Sequence, residues 1–148
     1  MRLPTLHQAG FTLTELLLVM AIMTIVTAGA VPLYQALNNG NQLDAAVTVV
    51  AQDLYQAQSL SRNHTQDKNW GVAVNGQVIT LFAGTSYATR DTTQDTSYTV
   101  PNAIALGGVS QIVYSKLYGL PTTTGSFTLA GGGKNSTVSV NGKGMVEY

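Results

Sequence analysis

The chain has 148 residues, no cysteine, and seven basic against seven acidic side chains. That length supports one compact domain of ordinary size once an apolar N-terminal stretch is set aside. The lack of cysteine excludes disulfides, thiolate metal sites and cysteine nucleophiles, and the balanced charge supplies no basic field for counterion-release binding to nucleic acid. Beyond the apolar stretch, Arg62, Lys68, Arg90, Lys116, Lys134 and Lys143 face Asp44, Asp53, Asp67, Asp91, Asp95 and Glu147. A neutral surface rich in Thr, Ser, Gly and Asn suits an assembly subunit better than an electrostatically steered binder.

The first predicted element is Phe11 to Val31, 21 residues with Glu15 as their only charge. As a helix it is about 31 Å long, close to the hydrocarbon thickness of a bilayer. Arg2 precedes it and no Lys or Arg follows until Arg62, so the positive-inside rule keeps the N-terminus cytoplasmic and exports the rest. Glu15 is the anomaly, because a charged side chain inside a bilayer costs roughly 2.5–3.5 kcal/mol even on lenient scales. An ordinary signal peptide is one reading, with Leu16–Val26 as its apolar region and Ala28-Gly29-Ala30 as its cleavage site. An uncut single-pass anchor is another. Neither has a use for Glu15, beyond a carboxylate snorkelling at the membrane edge.

Gly10-Phe11-Thr12-Leu13-Thr14-Glu15-Leu16-Leu17 resembles the N-terminal motif of type IV pilins and type II secretion pseudopilins. The glycine, the phenylalanine, the acid at the fifth mature position and the long apolar run all match, over Gly10–Pro32. The resemblance implies a leader, Met1–Gly10, removed on the cytoplasmic side by prepilin peptidase between Gly10 and Phe11. Phe11 then becomes the N-methylated first residue. Cutting there exposes an α-amino group, which is largely cationic at neutral pH. Glu15 lies one helical turn away and can meet that amine in its own chain or in the next subunit. In a low-dielectric setting such a pair adds little net stability, but leaving one member unpaired is strongly destabilising. It therefore works as a register device between packed helices, which is also the role the resemblance implies for Glu15.

Pro32 closes the apolar segment. It removes a backbone donor and clashes with the carbonyl of Ala28, and Gly29 loosens the same turn. Gly29 and Pro32 together mark a helix kink, with a simple helix end as the plainer alternative. Asn38-Asn39-Gly40-Asn41 is a poor helix stretch and reads as a flexible joint. Leu43, Val47, Val50, Leu54 and Ala57 then recur at helical spacing, one face of an amphipathic helix to about Arg62. From Trp70 the pattern turns to strands. Gly71–Val74, Asn75-Gly76 and Gln77–Phe82 predict a hairpin with a type I′ turn. Thr85–Pro101 reads as a polar loop. Further strands are expected at Ala103–Leu106, Gln111–Ser115, Ser126–Ala130 and Thr137–Val140, the last pairing with Met145–Tyr148 across Asn141-Gly142-Lys143-Gly144. Gly131-Gly132-Gly133 marks a mobile turn.

The expected fold is therefore α+β, a pilin-like plan in four segments. These are a leader (1–10), a transmembrane and assembly helix (11–32), the amphipathic half of the stem (33–63) and an antiparallel β domain (64–148). Leu54-Tyr55-Gln56-Ala57-Gln58-Ser59, Trp70-Gly71-Val72, Ile112-Val113-Tyr114-Ser115 with Gly119, and Val138 to Gly144 resemble the minor pseudopilins of the GspH/FimT type. Members often carry Ala-Arg at the helix end, where this chain has Ala57-Gln58.

No HExxH, phosphate loop or Ser/His/Asp grouping can be read from spacing. His64 reads as a solvated loop residue. Asp91-Thr92-Thr93-Gln94-Asp95 gathers two carboxylates but lacks the glycine-turned pattern of a calcium loop. No enzyme activity, metal or cofactor is expected. The expected role is a structural subunit of a pilus-like filament. Its implied partners are other pilin or pseudopilin subunits, prepilin peptidase, the cytoplasmic (inner) membrane and the inner-membrane assembly platform. FimT-type subunits of competence pili bind DNA through basic residues near the C-terminus. Here Asn141–Tyr148 offers only Lys143, offset by Glu147, so nucleic acid is not an expected partner.

Overall fold

The computed structural model describes residues 10–148, the side chains of residues 30–33 and 36 excepted. Residues 1–9 of the leader, Arg2 among them, lie outside the described residues, as do the Ala30, Val31 and Pro32 side chains. One helix, α1, covers Leu13–Arg62. The strands are β1 (Trp70–Asn75), β2 (Val78–Ala83), β3 (Asp91–Thr99), β4 (Ala105–Gly108), β5 (Gln111–Tyr114), β6 (Gly125–Gly131), β7 (Lys134–Val140) and β8 (Val146–Glu147). This is the α+β, pilin-like order of a long N-terminal helix followed by antiparallel sheet. The chain divides into two units, Met1–Ala36 and Leu37–Tyr148.

In the first unit, α1 is apolar from Leu16 to Val26 apart from Thr24, and the described side chains from Phe11 to Gly29 are all exposed. Its threonines are satisfied within the helix. Thr24 Oγ1 donates to the Met20 carbonyl (2.7 Å) and Thr27 Oγ1 to that of Met23 (2.8 Å), so these hydroxyls need no water. Among the described residues no helix is long and apolar enough to cross a membrane. The apolar run of the sequence continues beyond Gly29, to Val31.

In the second unit, Leu43, Ala46, Val47, Val50, Ala51, Leu54 and Ala57 bury one stripe of α1. They meet inward residues of two four-stranded antiparallel sheets, ordered β3-β2-β1-β5 and β4-β6-β7-β8. Trp70, Val72, Ile79, Leu81, Ile112 and Tyr114 come from the first sheet, and Phe127, Leu129, Val138, Val140 and Val146 from the second. Alternation along the strands turns Ala73, Phe82 and Val113 to the outer face of the first sheet, where Tyr87 covers them. Val100 and Ile104 carry the chain from one sheet to the other and are themselves core residues.

Three expectations are corrected here, and the plainer alternative at Pro32, a helix end, also falls, because α1 runs on to Arg62. Residues Asn38–Asn41 are helical rather than a joint. The β6–β7 turn packs there, with Gly132 so close to the Asn39–Gly40 backbone that an added Cβ would sit 3.1 Å from the Gly40 nitrogen. Tertiary packing thus outweighs the low helix propensity of that stretch. Thr85–Pro101 is not a loop throughout. It contains a short 3₁₀ turn at Tyr87–Thr89 and the nine-residue strand β3, which pairs along β2 from Val78↔Thr99 to Ala83↔Asp91. In the first hairpin Asn75 pairs with Val78, so the turn residues are Gly76 and Gln77. Only Gly76 has positive φ, the pattern of a type II′ turn rather than I′. The I′ pattern occurs instead at Gly132-Gly133, both with positive φ.

Ser61 joins the helix end to the first sheet. Its buried Oγ donates to the Tyr114 carbonyl (3.2 Å) and accepts from the Trp70 amide (3.0 Å). Ser61→Ala removes two buried hydrogen bonds at the start of β1, and a loss of about 1–3 kcal/mol is expected. Thermal unfolding followed by the emission of Trp70, the only tryptophan, measures it. An unchanged midpoint would show that the two groups find other partners.

Candidate functional site

The motif residues sit at the start of α1. Gly10 and Phe11 precede the helix, and Phe11 is exposed at 85%. The Glu15 amide donates to Thr12 Oγ1 (3.3 Å), and the Leu16 amide closes the first turn on the Thr12 carbonyl (3.1 Å). Thr12 is therefore the N-cap, and Thr12-Leu13-Thr14-Glu15 has the spacing of a capping box. Sequence reasoning singled out Glu15 but passed over Thr12. The available signal was the T-x-x-E pattern directly before an apolar run. The cap fixes where the helix begins, and Glu15 falls in its first turn. There the aligned peptide dipoles favour an acid by about 0.3–1 kcal/mol. That gain is smaller than the cost of burying the charge, so a partner is still needed once the apolar helix is covered.

Gly10, Phe11 and Glu15 thus lie within one helical turn of the N-terminus of α1, with the Gly10–Phe11 bond outside the helix. Gly29 is inside α1 with nothing within 4 Å of an added Cβ, while the Pro32 ring lies outside the described side chains.

Elsewhere the titratable groups are mostly engaged in holding the fold. Asp91 pairs with Lys68 (2.5 Å) and accepts from Thr93 Oγ1 (2.6 Å); these contacts hold its carboxyl down at about 2. Asp95 pairs with Arg90 (2.7 Å), whose guanidinium also lies 3.7 Å over the Tyr87 ring. The two carboxylates considered for calcium are thus each taken by a cation of the chain. Among the described residues no group of three or more His, Asp or Glu side chains could hold a metal. His64 is exposed, in a left-handed turn after α1. The Tyr114 hydroxyl is buried without a hydrogen-bond partner, and burial beside Tyr55 pushes it up to about 12.

Asp53 behaves differently. It is half-buried on α1 and, among the described residues, makes no hydrogen bond or ion pair. Desolvation raises its carboxyl from an ordinary 3.8 to about 6. The folded state therefore binds this proton more tightly than the unfolded chain. Stability from this group is highest at low pH, falls as pH rises from about 4 to about 6, and is flat above that. After discounting for the solvent that still screens the group, the change is on the order of 1 kcal/mol. Asp53→Asn is expected to stabilise the protein at pH 7 and to flatten this part of the stability–pH profile. Chemical denaturation at pH 4, 5, 6 and 7 tests the sign, and a slope unchanged in the variant would rule Asp53 out as its source.

A family model described as the prokaryotic N-terminal methylation motif matches residues 5–31. It covers the Gly10–Phe11 bond, Glu15 and the apolar run, and it supports a type IV pilin-like or pseudopilin-like subunit processed by prepilin peptidase. No curated protein and no solved structure matches the chain.

Proposed function

We propose that this chain is a structural subunit of a type IV pilus-like filament, a minor pilin or pseudopilin of the GspH/FimT branch. Prepilin peptidase cuts it after Gly10 and methylates Phe11. Residues 11–31 hold it in the cytoplasmic membrane, the part from Leu37 onward is exported, and the assembly platform draws it into the filament through α1. It is the substrate of an enzyme rather than an enzyme. The observation that carries this reading is the match over residues 5–31, with Glu15 in the first turn of a helix whose exposed residues from Leu16 to Val26 are apolar apart from Thr24. An apolar helix exposed on all sides needs a bilayer or neighbouring helices to cover it.

Intact-mass measurement of the protein recovered from membranes tests the proposal. A methylated chain starting at Phe11 supports it. A start at Val31 identifies an ordinary signal peptide, and a start at Met1 an uncut anchor; either result overturns it.

A further inference from the structure

Three of the six cations beyond the apolar run are neutralised within the chain: Lys68 by Asp91, Arg90 by Asp95 and Lys116 by Asp67. Arg62, Lys134 and Lys143 form no ion pair among the described residues. Two of these three, Arg62 and Lys143, line the same open cleft of about 240 Å³, with Tyr55, Gln58, Gly144 and Met145. Its walls come from the end of α1 and the β7–β8 turn. The cleft is a built feature. Gln58 Nε2 donates to the Gly119 carbonyl (3.0 Å), Arg62 Nε to that of Tyr118 (3.3 Å), and Tyr55 OH to that of Val146 (3.2 Å). Asn141 Oδ1 accepts from the Lys143 and Met145 amides and shapes the turn that presents Lys143. Gly119 and Gly144 have positive φ, and a Cβ at either would strike the Arg62 or Gln58 side chain. The Arg62 Nη groups and Lys143 Nζ make no hydrogen bond within the described residues. Two cations beside half-exposed Tyr55 and Met145 suit a carboxylate carried on an apolar surface.

The stem itself carries such a carboxylate. Asp53 precedes Arg62 by nine residues, or two and a half helical turns, which sets the two on opposite flanks of α1 about 13–14 Å apart along its axis. Val49, Asp53 and Leu60 share one flank by their helical spacing, and Val49 and Leu60 are partly exposed. One flank of the stem is therefore an apolar strip around a lone acid, and the other opens on two lone bases beside apolar side chains. Complementary patches on opposite flanks cannot satisfy each other within one copy. They define a heterologous, head-to-tail contact, the kind that propagates into a helical array instead of closing as a dimer. Asp44 lies eighteen residues, about five full turns, before Arg62 and so on the same flank as the cleft, and it cannot serve a contact between opposite flanks. Glu147 follows the buried Val146 on β8 and faces away from the core.

We propose that the Arg62–Lys143 cleft of one subunit receives the Asp53 carboxylate of a neighbouring copy, an inter-subunit contact that sets the register between exported stems. The inference rests on the filament reading above. It gives the half-buried Asp53, which weakens the isolated subunit, a partner it meets only on assembly. Two cations around one carboxylate also favour an ionic, direction-specific contact over general adhesion.

The absence of native cysteine makes the contact directly testable in the full chain expressed in filament-forming cells. Within one copy, residues 53 and 62 cannot be bridged, because a disulfide requires Cα atoms within about 7 Å. Mild oxidation of D53C/R62C should therefore give a ladder of dimers, trimers and higher species on a non-reducing gel. D53C/K143C should give the same ladder if removing Arg62 disturbs the helix end, and D53C/K134C should give none. D53K and R62E should each lower the chain recovered in sheared filaments by about tenfold or more, and the combined D53K/R62E should restore it. Filaments that contain the chain but give no ladder with either pair overturn this contact and leave the filament reading standing. A chain that never enters filaments overturns both. Salt-steep binding of the full chain to DNA that R62E abolishes would assign the cleft to nucleic acid and overturn the contact as well.

Discussion

Replacing Glu15 with leucine is expected to leave membrane insertion intact and to lower incorporation into filaments by about a hundredfold or more. Insertion depends on the apolar run, and exchanging its one acid for leucine only raises its hydropathy. In the proposed reading, incorporation depends on the amine that cutting before Phe11 would free. Without Glu15 that amine would be buried with no counter-charge, and breaking a buried pair costs about 3–5 kcal/mol. The effect differs from loss of helix start. Thr12→Ala removes the cap that accepts from the Glu15 amide and should cost only about 1 kcal/mol. Quantifying the chain in membranes and in sheared filaments for both variants separates the two roles. Normal incorporation of Glu15→Leu would remove charge pairing from the account and leave Glu15 as a helix-start acid.

Leu54→Ala is expected to destabilise the exported domain by about 2–5 kcal/mol, a large part of the total stability of a domain this size. Leu54 is fully buried on α1, among residues contributed by both sheets. A cavity there cannot collapse without moving the helix or a sheet, which places the cost toward the upper end of the range. Thr48, exposed on the same helix, is the control, and its alanine variant should stay within about 0.5 kcal/mol. Denaturation of the detergent-solubilised full chain, followed by Trp70 emission, gives both values. A Leu54→Ala change no larger than that of Thr48→Ala would mean that α1 is not part of the domain's cooperative core.

The elements whose own side chains carry a period were readable in advance. The buried stripe from Leu43 to Ala57 follows helical spacing, and β1 and β2 alternate, so helix end and hairpin fall where the pattern puts them. β3 was missed because Asp91–Thr99 has no apolar face to alternate. It is a strand because β2 offers an unpaired edge, and its acids are held by Lys68 and Arg90. The II′ turn escaped for a related reason. Asn75-Gly76 and Gly76-Gln77 both offer a glycine for positive φ, and the choice falls to the pairing of Trp70 with Ala83 and of Val72 with Leu81, which sets the inward face. Residues Asn38–Asn41 stay helical through packing of the β6–β7 turn, which local propensity does not register.

The N-terminal motif is legible along the chain alone, because Gly10, Phe11, Thr12 and Glu15 are neighbours, and a methylation motif and a helix cap are both features of contiguous residues. That Arg62 and Lys143, far apart in sequence, share one cleft while Asp53 faces the other way follows from packing alone. Two cations separated by the whole β domain converge only because the β7–β8 turn packs on the end of α1, and no local period encodes that meeting.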